Sequence, residues 1–169
     1  TGGTSNSLIP SATDQGIYLG VDAATAANLL DDYEEGTFTP VLGGSSGTTG
    51  QNYSGQAAQY IKIGNMVYTS MQTSLYDGKG TITGSLQLQG LPFTCKTGWE
   101  HRASASFSYI YNWILDSSKD FLQGQVQENT TIVLLQGSDT SGNNATESLA
   151  TANIQDRTEL SATVCYVAA

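Results

Sequence analysis

Tyr60-Ile61-Lys62-Ile63-Gly64-Asn65-Met66-Val67-Tyr68-Thr69-Ser70-Met71-Gln72-Thr73-Ser74-Leu75 is the stretch whose reading decides the fold. From Met66 the odd positions are Val67, Thr69, Met71, Thr73 and Leu75, while the even ones after Tyr68 are Ser70, Gln72 and Ser74. A period of two marks a strand with one face covered and the other wet. Gly64 and Asn65 both tolerate positive φ, so they predict a two-residue hairpin turn. Tyr60–Ile63 is then the antiparallel partner of the strand that opens at Met66.

Further along the chain the same pattern recurs between turns. Asp77-Gly78-Lys79-Gly80 reads as a turn. Thr81 to Gln89 follows as one strand, with Ile82, Gly84, Leu86 and Leu88 against Thr83, Ser85, Gln87 and Gln89. Pro92 has no N–H for a ladder and ends it. Arg102 to Leu115 is the longest patterned run and reads as the core strand, with Ala103, Ala105, Phe107, Tyr109, Tyr111, Trp113 and Leu115 on one face. Its other face begins as serine and turns apolar at Ile110 and Ile114, which could meet a neighbouring subunit. Phe121–Val126 reads as a short strand. Thr130 to Leu135, apolar on both faces, suits the middle of a sheet or a subunit contact. Gly137 to Asn144 is a polar loop, and Leu160 to Val167 is a closing strand with Leu160, Ala162, Val164 and Tyr166 inward. About eight short strands without a long helix predict an all-β chain, an antiparallel β-sandwich or jelly roll.

Toward the N-terminus the signal changes. Residues 1–27 hold few large apolar side chains and cannot offset their ordering entropy as a lone chain. Asp22 could cap a helical turn through Ala23 to Leu30, because alanine favours helix and Asp accepts from free N–H groups. Asp31, Asp32, Glu34 and Glu35 then place four of the fifteen acids within five positions, and Gly36 breaks the pattern before the first strand opens at Thr37. The division expected is an extended stem or linker over residues 1–36 and a head over 37–169, with Asp31, Asp32, Tyr33, Glu34 and Glu35 at the junction.

Three pieces in this order carry a resemblance. Leu30 to Pro40, LDDYEEGTFTP, resembles a signature near the C-termini of tail-fibre and other appendage proteins of tailed bacteriophages. Tyr60 to Val67 is similar to that family's Y-x-K-I-G-N/R-x-V hairpin, and Gly90-Leu91-Pro92-Phe93 to its G-L-P-F turn. Gly16-Ile17-Tyr18-Leu19-Gly20 resembles the shaft ending such proteins carry. The resemblance spans about Gly16 to Phe93. It implies a homotrimeric virion part whose thin N-terminal arm is wrapped by identical arms, and it implies no reaction and no cofactor.

Composition bounds the alternatives. The chain has 169 residues, enough for one domain or one domain with an arm. Hydrophobic residues make up 38% and charged ones only 12%, so the surface is largely uncharged and polar. A net charge of −9 with six Lys and Arg argues against nucleic acid, which needs a basic patch. It argues equally against docking to an anionic membrane by charge. No apolar run approaches the ~20 residues of a membrane-spanning helix, so no membrane insertion is expected. The opening TGGTSNSL has no basic region followed by an apolar stretch, unlike a secretory signal. A first residue other than Met suggests a fragment or a processed chain. Cys95 and Cys165 fit no metal or redox spacing and read as free, partly buried thiols.

Several chemistries can be weighed against a structural role. The acidic cluster could hold Ca²⁺ but lacks the D-x-[DN]-x-[DN]-G spacing, so caps and inter-chain hydrogen bonds are the better account. Acid pairs such as Asp116 with Asp120 or Glu100 could cut sugars, yet fifteen acids always contain pairs. His101 is the sole histidine and no G-x-S-x-G elbow is present, so no enzyme is expected. Aromatics are the better candidates: nine Tyr and two Trp outnumber four Phe, and rings with a polar handle favour interfaces and stack on sugars. Trp99 beside Gly98, Tyr76 in the Leu75-Tyr76-Asp77-Gly78 turn, and His101 are the candidate ligand-binding residues. The expectation is a virion structural protein, the distal domain of a phage fibre that attaches to a host cell-surface glycan. Its partners would be a homotrimer, other virion proteins and that polysaccharide. The competing expectation is a capsid- or tail-attached decoration with no ligand of its own.

Overall fold

The computed structural model describes the backbone of Ile17–Tyr18 and Leu29–Leu30 and residues 32–115, 119–138 and 146–169, apart from the side chain of Trp99. The expected polar loop beyond Ser138, Asp31 and most of the expected helical turn lie outside those residues. Among the described residues the regular structure is strand, with two short 3-10 turns at Trp99–His101 and Thr151–Asn153. The chain is all-β, as its period of two requires.

Two strands, β1 (Ile17–Tyr18) and β2 (Leu29–Leu30), pair with each other. Leu29 and Leu30 are therefore extended and not the end of a helical turn. The main body runs β3 (Tyr33–Phe38), β4 (Val41–Gly44), β5 (Gly47–Thr49), β6 (Asn52–Ile63), β7 (Met66–Gly78), β8 (Thr81–Thr83) and β9 (Leu86–Gln89). It continues with β10 (Ser104–Trp113), β11 (Phe121–Val126), β12 (Ile132–Ser138), β13 (Thr146–Ser148) and β14 (Ile154–Val167). One antiparallel sheet takes the order β3-β6-β7-β14-β10-β11-β12-β9-β4, with β13 on β12, while β5 and β8 pair separately. The strands at the two ends of that order, β3 and β4, are separated in sequence only by Thr39 and Pro40. The sheet therefore curls until its ends are adjacent, and Pro40 interrupts the ladder where the chain passes from one end to the other.

The Gly64-Asn65 hairpin forms as expected, with Ile63 opposite Met66 and Gly64 at φ +56. Thr73, Met71, Thr69 and Val67 are buried on one face of β7, and Gln72 and Tyr68 are exposed on the other. β14 lies on the other side of β7, from Met66–Val167 through Ser74–Glu159, and sends Leu160, Ala162, Val164 and Tyr166 inward. These side chains meet Leu42, Leu86, Leu88, Val126, Val133 and Leu135 from the opposite wall of the curl in a single apolar core. β12 lies between β11 and β9, the central place its two apolar faces call for.

Four expectations differ from the structure in detail. β3 begins at Tyr33, four residues before Thr37, because Tyr33 to Gly36 pair with Ile63 to Tyr60. The run from Thr81 to Gln89 is two strands. Gly84, at φ +81, bends the chain between them. β12 takes in Gly137 and Ser138, which had read as loop. In β10 the register slips at Ser108: Phe107 opposes Ala162, but Tyr109 opposes Ser161. That bulge adds one residue and inverts the alternation, so Tyr109 and Tyr111 turn outward and Ile110 takes the side of Leu160. β10 is accordingly not the core strand. Beyond Ala105–Gly124 its only strand partner among the described residues is β14. Gly124 is what lets β10 cross to β11: a Cβ there would lie 2.7 Å from that of Ala105 and 2.8 Å from Cζ of Phe107.

Among the buried polar groups of the described residues Thr73 Oγ1 has no hydrogen-bond partner, whereas the Tyr166 hydroxyl has two. The Tyr166 hydroxyl donates to the Phe93 carbonyl at 3.0 Å and accepts from the Phe93 N–H at 3.2 Å, fixing the Gly90–Phe93 turn to the last strand. Burial pushes the Tyr166 phenol up to about 12. Its contribution to stability is thus fully present below the ordinary tyrosine value of 10.0 and is lost as pH rises through about 12. Tyr166→Phe takes the hydroxyl away from both the N–H and the carbonyl of half-buried Phe93 and is expected to cost ~1–3 kcal/mol in urea unfolding. The variant should also lose part of the wild-type decline in stability above pH 10. Unchanged stability at neutral pH would contradict the pairing.

Candidate functional site

The expected ligand residues do not converge. Trp99 and His101 belong to the 3-10 turn beside the end of β14, where Lys96 N–H donates to the Val167 carbonyl at 2.8 Å. Val167 opposes Met66, and Tyr76, expected in a turn, lies ten residues further along β7, which continues through Asp77 to Gly78. At ~3.3 Å per residue, that separation is on the order of 30 Å. Tyr76 is half exposed, whereas the His101 side chain is only 18% exposed. Its Nε2 is 3.5 Å from Glu100 Oε1, and its carbonyl accepts from the buried Cys95 thiol at 3.4 Å.

What positions this turn is Glu128. Its Oε1 accepts from Arg102 Nη2 at 2.5 Å and Nε at 3.1 Å, and its Oε2 from the Gly98 N–H at 2.8 Å. Those bonds, led by Arg102, hold the Glu128 carboxyl below the ordinary value of 4.5. The Cys95 thiol is pushed up, first by burial and then by the Glu128 charge. Cys95 and Cys165 are both free, as expected, and Cys165 is exposed, 3.3 Å from the Met66 sulfur.

The junction acids find partners within the chain. Asp32 pairs with Lys62, Glu34 accepts from the Tyr60 hydroxyl at 2.5 Å, and Glu35 accepts from the Tyr33 hydroxyl at 2.8 Å. Both phenols are raised, chiefly by these hydrogen bonds to carboxylates. β3 is an end strand of the sheet order, and its adjacent Glu34 and Glu35 give the edge a charge that discourages strand addition. Among the described residues no cluster of His, Cys, Asp and Glu is arranged to hold a metal ion. Ile110 and Ile114 are 44% and 45% exposed, and Asn153 Nδ2 donates to the Ile114 carbonyl at 2.8 Å while Ile114 N–H donates to the Asn153 carbonyl.

The structure brings together a different set: the outer face of the wall β3-β6-β7-β14-β10. Reading across it by register, one row is Tyr33, Ile63, Met66 and Val167, and the next is Glu35, Ile61, Tyr68 and Cys165. Then come Thr37, Gln59, Ser70, Thr163 and Ser106, followed by Ala57, Gln72, Ser161 and Tyr109. Tyr33, Ile61, Ile63, Met66, Tyr68, Tyr109 and Tyr111 are all between 42% and 56% exposed. A shallow groove of ≈ 440 Å³ runs beside the β3 edge, lined by Glu35, Thr37, Gln59, Ile61 and Tyr68 with Gly36 and Tyr60. At the far end Tyr109 and Tyr111 stack on each other, centroids 6.4 Å apart and planes 15° from parallel.

This face was missed because the even positions of β7 read as polar only after Tyr68. The signal lay in the sequence: the two-residue turn pairs Ile63 with Met66 and Ile61 with Tyr68, so all four share one face, opposite to the inward Val67 and Met71. Alternation alone puts Tyr109 and Tyr111 on the core face, for nothing in the sequence marks the bulge at Ser108.

Glu128 gives a pH test. A depressed carboxyl contributes stability that is present above the ordinary value of 4.5 and lost as pH falls through its folded value. Melting temperature should therefore fall below pH 4.5 more steeply in the wild type than in Glu128→Gln. Equal slopes in the two proteins would contradict the role given to Glu128.

Compared with protein-family models, with curated proteins and with solved structures, the chain matches none.

Proposed function

We propose that the chain is a virion structural protein, the distal domain of a bacteriophage fibre that attaches to the host surface through a cell-surface glycan. In this reading the curled sheet is a β-sandwich of jelly-roll type, three copies form a homotrimer joined to other virion proteins, and the domain binds without catalysis. The motif order LDDYEEGTFTP, YIKIGNMV and GLPF supports the placement in a fibre.

The observation that carries attachment is the exposed Tyr109–Tyr111 pair. A sugar ring presents C–H groups on one face and hydroxyls on its rim. Stacked, half-exposed phenols offer the matching apolar plane. Ser161, Thr163, Gln72 and Glu159 lie on the same face of β14 and β7 and can exchange hydrogen bonds with the rim hydroxyls. One such site is weak. Three held rigidly together raise the effective concentration for the second and third contacts, so modest single-site affinity suffices.

A second reading, decoration of a capsid or tail without a ligand, is favoured by the apolar rows at the other end of the face, which suit a protein neighbour. An array of bacterial lipopolysaccharides and capsular polysaccharides separates the two. Wild type is expected to bind a subset, and Tyr109→Ala/Tyr111→Ala to lose binding by at least roughly tenfold, about 1.4 kcal/mol, at unchanged melting temperature. Binding unaffected by the double substitution would refute the tyrosine platform. Silence of the wild type across the array would favour decoration.

A further inference from the structure

We infer that the apolar end of the outer face, Tyr33, Ile61, Ile63, Met66, Tyr68 and Cys165, is where copies of this chain bury one another. The inference rests on the self-associating reading above and adds the surface that makes the contact.

Three observations choose this occupant. The first is contiguity: Tyr33, Ile63 and Met66 are successive neighbours across β3, β6 and β7, and Ile61 and Tyr68 are neighbours in the adjoining row. All five are exposed by at least 42%. A continuous apolar patch of this kind marks a contact surface, whereas scattered apolar residues do not. The second is charge. The chain carries 15 acids against 6 Lys and Arg, so two copies repel over most of their surfaces. The four rows from Tyr33 to Tyr109 contain a single carboxylate, Glu35, at the β3 edge and hydrogen-bonded to Tyr33. Copies meet here at the least electrostatic cost, while a basic partner would find little to pair with. The third is size. The two apolar rows span four strands ~4.8 Å apart and two steps of ~6.6 Å along them, roughly 250 Å². A stable association buries about 800 Å² per partner, so these rows are the water-excluding centre of such a contact and the polar row of Thr37, Gln59, Ser70 and Thr163 its rim, which leaves Tyr109 and Tyr111 free.

Cys165 reports on the contact, since it sits within the patch and Cys95 is buried. The test uses the full chain: native mass together with the rate at which Ellman's reagent modifies the thiol, for wild type, Ile61→Glu, Tyr68→Ser and Phe121→Glu. Phe121 is 55% exposed on β11 and serves as the control. The expected wild type is a multiple of 17.8 kDa, with Cys165 reacting at least an order of magnitude more slowly than an exposed thiol. Phe121→Glu should behave like wild type. Ile61→Glu and, more mildly, Tyr68→Ser should shift the mass toward a single chain and free the thiol, with unchanged circular dichroism. An oligomer that survives both substitutions with a fast-reacting Cys165 overturns the choice of face and leaves self-association standing. A wild type that stays at 17.8 kDa up to high micromolar concentration overturns both.

Discussion

The pairing of β7 with β14 is the contact on which the rest depends. It joins Met66 with Val167 at one end and Ser74 with Glu159 at the other, in long strands that each present alternate residues to opposite sides. Because the period is two, fixing this register fixes which side chains enter the core: Val67, Thr69, Met71 and Thr73 from β7, Leu160, Ala162, Val164 and Tyr166 from β14. A slip by one residue would bury Tyr68, Gln72 and Cys165 and expose the core. β6 and β3 extend this pair on one side and β10 on the other, and the remaining strands curl round to close over the inward side. Nothing of the chain's described residues closes over the outward side, and that asymmetry produces the candidate contact surface.

The closure is made by small, local devices rather than by long elements. Pro40 breaks the chain between the two end strands, Gly124 lets β10 approach β11, and Gly84 bends β8 away from β9. The Tyr166 hydroxyl ties the Gly90–Phe93 turn to the terminal strand, and Glu128 ties the turn around Trp99 to Arg102. Each device replaces a length of hydrogen-bonded ladder that a curled sheet cannot continue. The core needs only modest apolar content because the curl lets two walls share it.

Much of this was legible in the sequence, and the failures have physical reasons. Alternation located most of β7 and the second half of β14, the hairpin turn located the last four residues of β6 but not Asn52–Gln59, and the apolar run at Ile132–Leu135 identified a central strand. Gly64-Asn65 signalled its turn directly. Bulges leave no such trace. One extra residue at Ser108 turned Tyr109 and Tyr111 from an expected core face to the outside, and with them the most suggestive aromatic pair in the chain. The acidic cluster had suggested contacts between chains, yet Asp32 and Glu34 reach Lys62 and Tyr60 diagonally across the β3–β6 ladder, and Glu35 reaches Tyr33 two residues back on the same strand. Aromatic content pointed to Trp99 and Tyr76 as loop residues, but Tyr76 lies within β7, ten residues beyond Met66 of the apolar rows. The side chains that share one surface sit together on neighbouring strands.

Native-state amide hydrogen exchange tests the central pairing most directly. Amides of residues 66–74 and 159–167 are expected to exchange together and slowest, through global unfolding, while the ladder-free edges of β3 and of β10 beyond Ser106 exchange early. Fast exchange in 159–167 alongside slow exchange in 66–74 would mean that the two strands are not partners, and the assignment of inner and outer faces would fall with them.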